Sequence, residues 1–251
     1  MRFIFRTIFF CCAMFVAMIP SPGLLADTEG QSDILPYLYQ AKMFYQGVED
    51  YSCVFLKEER LDGKMQKPET ILFKFQKPFR VYMKWIKDPN KGRELLFVPG
   101  KYDNKLKVHI GGLLNFILPS ITISPDSPMV LEHSRHSITG AGLGNLINSL
   151  IDQFELAKQQ GDLRVIVHGA EKVQGTDCLR VERVLPKDKG YYCHRLMLYL
   201  NKENHVPVKV MVYDWNDVLI EAYTFSQVQW NLGLSDEDFD SHNREYAFGI
   251  F

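Results

Sequence analysis

The sequence predicts an α+β protein built on a strongly curved, unclosed antiparallel β-barrel, a half-barrel covered by two helices. Three observations lead there. From residue 51 to residue 230 most of the chain alternates with a period of two, broken by short turns rich in Gly, Pro, Asp and Asn, as half-buried antiparallel strands do. Only two stretches, Ser32–Val48 and Ala141–Gln160, carry a helical period. The order is helix, strand block, long loop, helix, strand block, without the strand–helix–strand alternation of a parallel sheet.

The first helix is expected over Ser32 to Val48. Ser32 is a capping residue, Pro36 fits a first turn, and Leu35, Leu38, Ala41, Lys42 and Tyr45 repeat at helical spacing. The segments YSCVFLKEER, TILFKFQ, FRVYMKWI, RELLFVP and KLKVHI then read as strands. Asp62-Gly63, Gln76-Lys77-Pro78, Asp88-Pro89-Asn90 and Pro99-Gly100 supply the turns between them. Ile71, Phe73 and Phe75 share one face of a strand, and Val81, Met83 and Trp85 one face of the next. Such an apolar face must be covered by a helix, a second sheet or a ligand. Gly111–Gly140 is a long irregular stretch containing the apolar island LLNFIL, and loops of this length are usually functional. The strongest helix follows, Ala141 to Gln160, with Leu143, Leu146, Ile147, Leu150, Ile151 and Phe154 in one stripe. The period then returns to two through LRVIVHGAEKV, CLRVERVL and three closing strands, LMLYLN, VPVKVMVYDW and VLIEAYTFSQVQW.

The N-terminus has the form of an export signal. Arg2 and Arg6 precede an apolar run from Ile8 to Ile19, and Pro20-Ser21-Pro22-Gly23 and Leu24-Leu25-Ala26 follow. The run is short for a membrane span, which needs roughly 20 apolar residues. The expectation is a cleaved signal peptide over 1–26, a single domain over 27–251, and no permanent membrane span. Cleavage removes two of the 29 basic residues and none of the 30 acidic ones, leaving a net charge of about −3. A chain this mildly acidic is no nucleic-acid binder. Cys53, Cys178 and Cys193 remain, an odd number for an exported chain. Strand pairing about the turn Pro186–Gly190 sets Cys178 opposite a residue near 198, so a bond to Cys193 needs a slipped register or a bulge. Buried reduced thiols are the alternative.

Few residues suggest chemistry. Glu132, His133, Arg135 and His136 form the densest polar cluster, but in a Ser/Pro-rich loop, which favours a solvated or capping cluster over a metal site. Gly140-Ala141-Gly142-Leu143-Gly144 does not fit G-x-G-x-x-G, follows no expected strand, and reads as a flexible entry to the second helix. No G-x-S-x-G elbow occurs. Asp236, Glu237, Asp238 and Asp240 read as a solvated acidic turn. The reading is a non-enzyme with no catalytic residue, no metal and no cofactor. Aromatic residues are plentiful, at 13%. They either fill a core or line a cavity, and a covered half-barrel has room for an acyl chain.

Several segments carry a family likeness. They are Tyr51-Ser52-Cys53-Val54-Phe55 with Lys57-Glu58-Glu59-Arg60, Lys77-Pro78-Phe79-Arg80-Val81-Tyr82-Met83-Lys84-Trp85, Lys91-Gly92-Arg93-Glu94, Pro125-Asp126-Ser127-Pro128, and Arg135-His136-Ser137-Ile138-Thr139. Tyr213-Asp214-Trp215, Glu221-Ala222-Tyr223-Thr224-Phe225 and Leu232-Gly233-Leu234 before Asp238-Phe239-Asp240 continue it. Together these resemble a bacterial exported family, domain-of-unknown-function family 1571, over nearly the whole mature chain. More distantly, the order of elements resembles periplasmic lipoprotein carriers of the LolA/LolB type, whose members bind acyl chains or lipoproteins and include envelope-stress sensors. That resemblance implies a periplasmic protein with the same half-barrel and a lipid-like ligand, by analogy of fold only.

The functional expectation is a lipid- or lipoprotein-binding carrier or sensor that holds an acyl chain between sheet and helical lid. The expected cavity lining is Phe55, Phe73, Phe75, Met83, Trp85, Phe97, Leu146, Leu150, Val208 and Val210. Helix Leu143–Phe154 and loop Leu113–Leu118 form the expected movable cover. The alternative is an envelope protein-interaction module without a lipid ligand, which requires a filled interior. A third reading, an enzyme using the Glu132–His136 loop, requires a bound metal or polar groups converging from that loop into a pocket.

Overall fold

In a computed structural model describing residues 33–111, 120–187 and 189–249, the period-two stretches all become strands of one antiparallel sheet. Chain order is α1 (Leu35–Gln46), β1 (Asp50–Leu61), β2 (Lys64–Met65), β3 (Glu69–Gln76), β4 (Arg80–Trp85), β5 (Glu94–Phe97), β6 (Leu106–His109), β7 (Ile121–Ile123), α2 (Pro128–Leu131) and α3 (Leu143–Gln159). Then come β8 (Arg164–Val173), β9 (Thr176–Val184), β10 (Arg195–Asn201), β11 (Pro207–Tyr213) and β12 (Leu219–Trp230). The spatial order is β7-β6-β5-β4-β3-β1-β12-β11-β10-β9-β8, with the short β2 on β1. β7 and β8 are edges that do not pair with each other, so the sheet is an unclosed half-barrel. The signal-peptide expectation over 1–26 and the apolar loop Leu113–Leu118 fall outside the described residues. Among the described residues no helix is long and apolar enough to cross a membrane.

The sheet bends at bulges. β1 shifts register against β12 between Ser52 and Val54, β8 against β9 between Val167 and Gly169, and β11 against β12 between Val212 and Tyr213. Each extra residue kinks its strand and increases the local twist. The concave face carries one large core, into which α1 sends Leu35, Leu38 and Ala41, and α3 sends Leu143, Ile147, Leu150, Ile151 and Phe154. Of the expected stripes, Tyr45 of α1 and Leu146 of α3 are only half-buried and Lys42 is exposed, while the other named residues are buried. The Asp33 carboxylate accepts the Leu35 N–H at 3.1 Å, at the start of α1.

The helices dock closely because the Gly-rich segment before α3 is a packing device. A Cβ on Gly144 would lie 2.3 Å from Tyr45 Cε1 on α1. Gly142 has φ +102° and sits against Phe75, where a Cβ would approach to 2.9 Å. The Tyr51 hydroxyl, fully buried, accepts the Leu143 N–H at 2.9 Å and satisfies one of the open amides that begin α3. Tyr51 also packs on Phe73, Phe75, Tyr45 and Trp230, with ring centroids 5.4–6.4 Å apart. It ties the sheet to both helices.

The outer face of β3–β5 is covered by the C-terminal tail. Phe239, Tyr246 and Phe248 bury Tyr82, Leu96 and Val98, and Tyr82 stacks on Tyr246 at 3.9 Å. The acidic turn expected to be solvated fastens this tail. Asp238 pairs with Lys74 at 2.7 Å and Asp236 with Arg80, and Ser235 and Asp238 form a capping box. The Asp50 carboxylate accepts the N–H groups of Leu232, Gly233 and Leu234.

The three cysteines are free and buried. Cys178 lies opposite Asn201, three residues beyond the expected position near 198. The stretch expected to be irregular contains β7, α2 and a 3-10 turn at Ile138–Gly140.

Candidate functional site

Between the concave sheet and its cover lies a cavity of about 450 Å³. Its floor consists of inward positions of successive strands: Phe55 of β1, Ile71 and Phe73 of β3, Met83 and Trp85 of β4, Leu95 of β5, Leu106 and Val108 of β6, and Phe225 of β12. Phe55 stacks on Phe225 at 5.0 Å and meets Phe73 edge-on at 6.2 Å. The roof is Met129 and Val130 of α2, Ile138 of the 3-10 turn, and Asn145, Leu146 and Ser149 of α3. The volume lies within the range of small-molecule pockets, roughly 300–1,000 Å³. A shallower recess between α1 and α3 holds Asp33, Tyr39, Glu155 and Lys158, which pair with one another across it.

Of the ten residues expected to line a cavity, Phe55, Phe73, Met83, Trp85 and Leu146 do line this one. Phe75, Phe97, Leu150 and Val210 are buried in the surrounding core. Val208 is placed on the opposite face. β11 bulges there, with Lys209 opposite Tyr199 and Pro207 opposite Leu200. The bulge drops Val208 out of step with Val210, and it packs with Val173, Cys178, Met197 and Tyr199.

One end of the cavity is polar. Glu59 of β1 and Glu221 of β12 face each other in register, and both are almost fully buried. The Tyr223 hydroxyl lies between them, hydrogen-bonding to Glu59 Oε1 or, at 2.7 Å, to Glu221 Oε2. His136 Nε2 is 2.7 Å from Glu221 Oε2, and the Tyr192 hydroxyl donates to Glu221 Oε1 at 2.6 Å. Glu59 receives the Arg135 N–H at 3.1 Å and pairs with Lys57 at 3.3 Å. Lys57 also donates to the His133 carbonyl, and Arg135 to the Arg60 carbonyl. The segment after α2 is thereby clasped to the ends of β1 and β12.

The charges of this clasp are mutually consistent. The hydrogen bond to Glu221 raises the His136 pKa against the opposing effect of its burial. Burial pushes the Glu221 carboxyl up, but His136, Tyr192 and Tyr223 outweigh it and hold the pKa below the ordinary value. Burial, with the two carboxylates beside it, drives the Tyr223 phenol far upward, so it stays protonated as a donor.

The Glu132–His136 loop does bring His133 and His136 to the cavity. The sequence reading missed their partners Glu59, Glu221 and Tyr223. The available signal was parity: Glu59 is in step with Phe55, and Glu221 with Tyr223 and Phe225, so each carboxylate occupies an inward position. No group of three or more His, Cys, Asp or Glu placed to hold a metal occurs among the described residues.

Residues 48–248 match the family model DUF1571, described as a protein of unknown function. Among curated proteins none matches the sequence. Solved structures similar to this chain include the lipoprotein LppX of Mycobacterium tuberculosis, with 12% identity over 83% of this chain and 100% of that one, at a TM-score of 0.48. A putative outer membrane lipoprotein-sorting protein domain from Vibrio parahaemolyticus has 13% identity over 82% and 95%, at 0.39. A LolA superfamily protein from Nitrosomonas europaea has 11% identity over 83% and 98%, at 0.34.

Proposed function

This chain belongs to the DUF1571 family, and on that premise we propose that it is an exported, periplasmic carrier or sensor that holds the apolar chain of a lipid or lipoprotein between its curved sheet and its cover. The observation that carries this reading is the cavity of about 450 Å³ with an aromatic and aliphatic floor. An interaction module without a ligand requires a filled interior, so the cavity favours the carrier. Each methylene buried contributes about 0.8 kcal/mol, so a ten-carbon chain gains about 8 kcal/mol before the cost of association. That is sufficient for capture and weak enough for release to a partner in the envelope.

The polar end bears on the enzymatic reading, because its histidines reach the cavity. Its geometry supports a clasp instead. The hydrogen bond to Glu221 raises the His136 pKa and favours the imidazolium, which makes the ring a poorer general base. Glu59 and Glu221 are each engaged by several donors. The clasp holds the cover shut over the ligand.

Purification of the full chain from an export host, followed by organic extraction and native mass spectrometry, tests the proposal. A co-purifying amphiphile, or saturable uptake of the neutral dye N-phenyl-1-naphthylamine, is expected. Protein free of amphiphile that also fails to take up the dye would overturn it.

A further inference from the structure

The cavity contains a cation with no direct ion pair or hydrogen bond to its side chain among the described residues. Arg93, at the entry to β5, lines the floor with its guanidinium 5.5 Å from the Trp85 ring. Its backbone is fixed, since its carbonyl accepts the Trp85 N–H at 2.9 Å and its own N–H donates to the Asn90 carbonyl at 3.0 Å. Its side chain makes no hydrogen bond or ion pair among the described residues. Glu69, whose charge acts on Arg93 without an ion pair, is already engaged by Lys57 at 3.2 Å and by the Asn90 amide. Lys57 is shared between Glu59 and Glu69. His136 and Arg135 sit on the Glu221 side of the clasp. Among the described cations facing the cavity, Arg93 is therefore the one whose side chain is held by no hydrogen bond or ion pair. Trp85, on the same wall, has its indole N–H buried without an acceptor. A guanidinium without a hydrogen-bonded partner in a largely apolar cavity calls for an acceptor that the protein does not supply.

We propose that Arg93 is the headgroup anchor of the site, and that the ligand is an amphiphile with an anionic head, a phosphate, sulfate or carboxylate, whose apolar chain lies over Phe73, Met83 and Phe55. The inference rests on the carrier reading and narrows its ligand class. Arginine suits such a head because its planar fork offers paired donors to two oxygens, on the rigid support of an aromatic face.

Displacement of N-phenyl-1-naphthylamine by three twelve-carbon ligands below their micellar concentrations tests it. The probes are dodecyl phosphate, neutral monolauroylglycerol and cationic dodecyltrimethylammonium, with inorganic phosphate alone as a fourth. Dodecyl phosphate is expected to bind at least about tenfold more tightly than the neutral ligand, the cation most weakly, and inorganic phosphate not to displace the dye. Arg93→Gln is expected to erase the order of the three affinities, and Arg93→Lys to retain part of it. Equal affinities in the wild type, or a preference that survives Arg93→Gln, would overturn the anchor and leave the carrier reading intact. Displacement by inorganic phosphate as effective as by dodecyl phosphate would overturn the amphiphile. Absence of dye uptake removes the carrier reading and this inference with it. Should Arg93→Gln not fold, the order of the three wild-type affinities decides the question.

Discussion

Replacing Tyr51 by phenylalanine removes one oxygen from the point where sheet and cover meet. The ring keeps its stacking on Phe73 and Phe75, so the apolar packing is preserved. What disappears is the acceptor for the Leu143 N–H, at 2.9 Å in a fully buried setting. A buried amide left without a partner costs about 1–3 kcal/mol, and the shielding of this site points to about 1.5 kcal/mol. For a domain of this size that lowers Tm by about 3–6 °C. The urea midpoint should fall with m unchanged, because the surface exposed on unfolding is the same. Tyr51→Ala, which also deletes the ring, should cost more, about 3–5 kcal/mol. Hydrogen exchange localises the effect, with faster exchange expected at the amides from Leu143 to Ile147. Gly142, Asn145 and Leu146 line the cavity, so a loosened helix start should also weaken dye binding. A Tyr51→Phe protein within about 0.3 kcal/mol of wild type, with unchanged exchange at the start of α3, would refute the reasoning.

Leu146→Trp extends a half-buried roof residue into the cavity and is expected to weaken dye and amphiphile binding at least about tenfold, with Tm nearly unchanged; unaltered affinity in a titration would place the ligand elsewhere. The clasp should show a pH window in the Tm difference between wild type and His136→Gln. His136 is raised above its ordinary 6.5, so its contribution is complete below 6.5 and disappears as pH rises through the raised value. Glu221 is lowered below its ordinary 4.5, so its contribution is complete above 4.5 and disappears as pH falls through the lowered value. The difference should therefore be greatest between these limits, and a flat profile would remove the ion pair from the account. Gly144→Ala drives a methyl group into Tyr45 and should cost about 1–3 kcal/mol in denaturant titrations, with partial recovery in Gly144→Ala/Tyr45→Ala, whose non-additivity measures the contact.

Much of this architecture is legible from local pattern. The stripe from Leu143 to Phe154 and the alternation of Ile71, Phe73 and Phe75 are statements about which side of an element is apolar, and burial follows that side directly. Five of the ten expected lining residues reach the cavity, Phe55, Phe73, Met83 and Trp85 because they lie on inward strand parity near the cover and Leu146 because it is part of the cover. Phe75 and Phe97 share that parity and are packed over by other side chains. The pattern distinguishes in from out, but does not tell which inward residues the helices leave uncovered. Val208 shows a second limit, since one extra residue in β11 reverses its direction and nothing in VPVKVMV announces the bulge.

By itself the sequence determined the α+β class, the antiparallel sheet, the two covering helices and their apolar stripes, because each depends on the period of residues close along the chain. Tertiary structure alone decided the pairing of Glu59 with Glu221, the reach of His136 to that pair, the role of the acidic tail as a fastening, and the isolation of Arg93 in an apolar cavity. Those features join residues up to 164 positions apart. They depend on register, bulges and the depth at which helices sit on the sheet, and these are set by the packing of the whole chain.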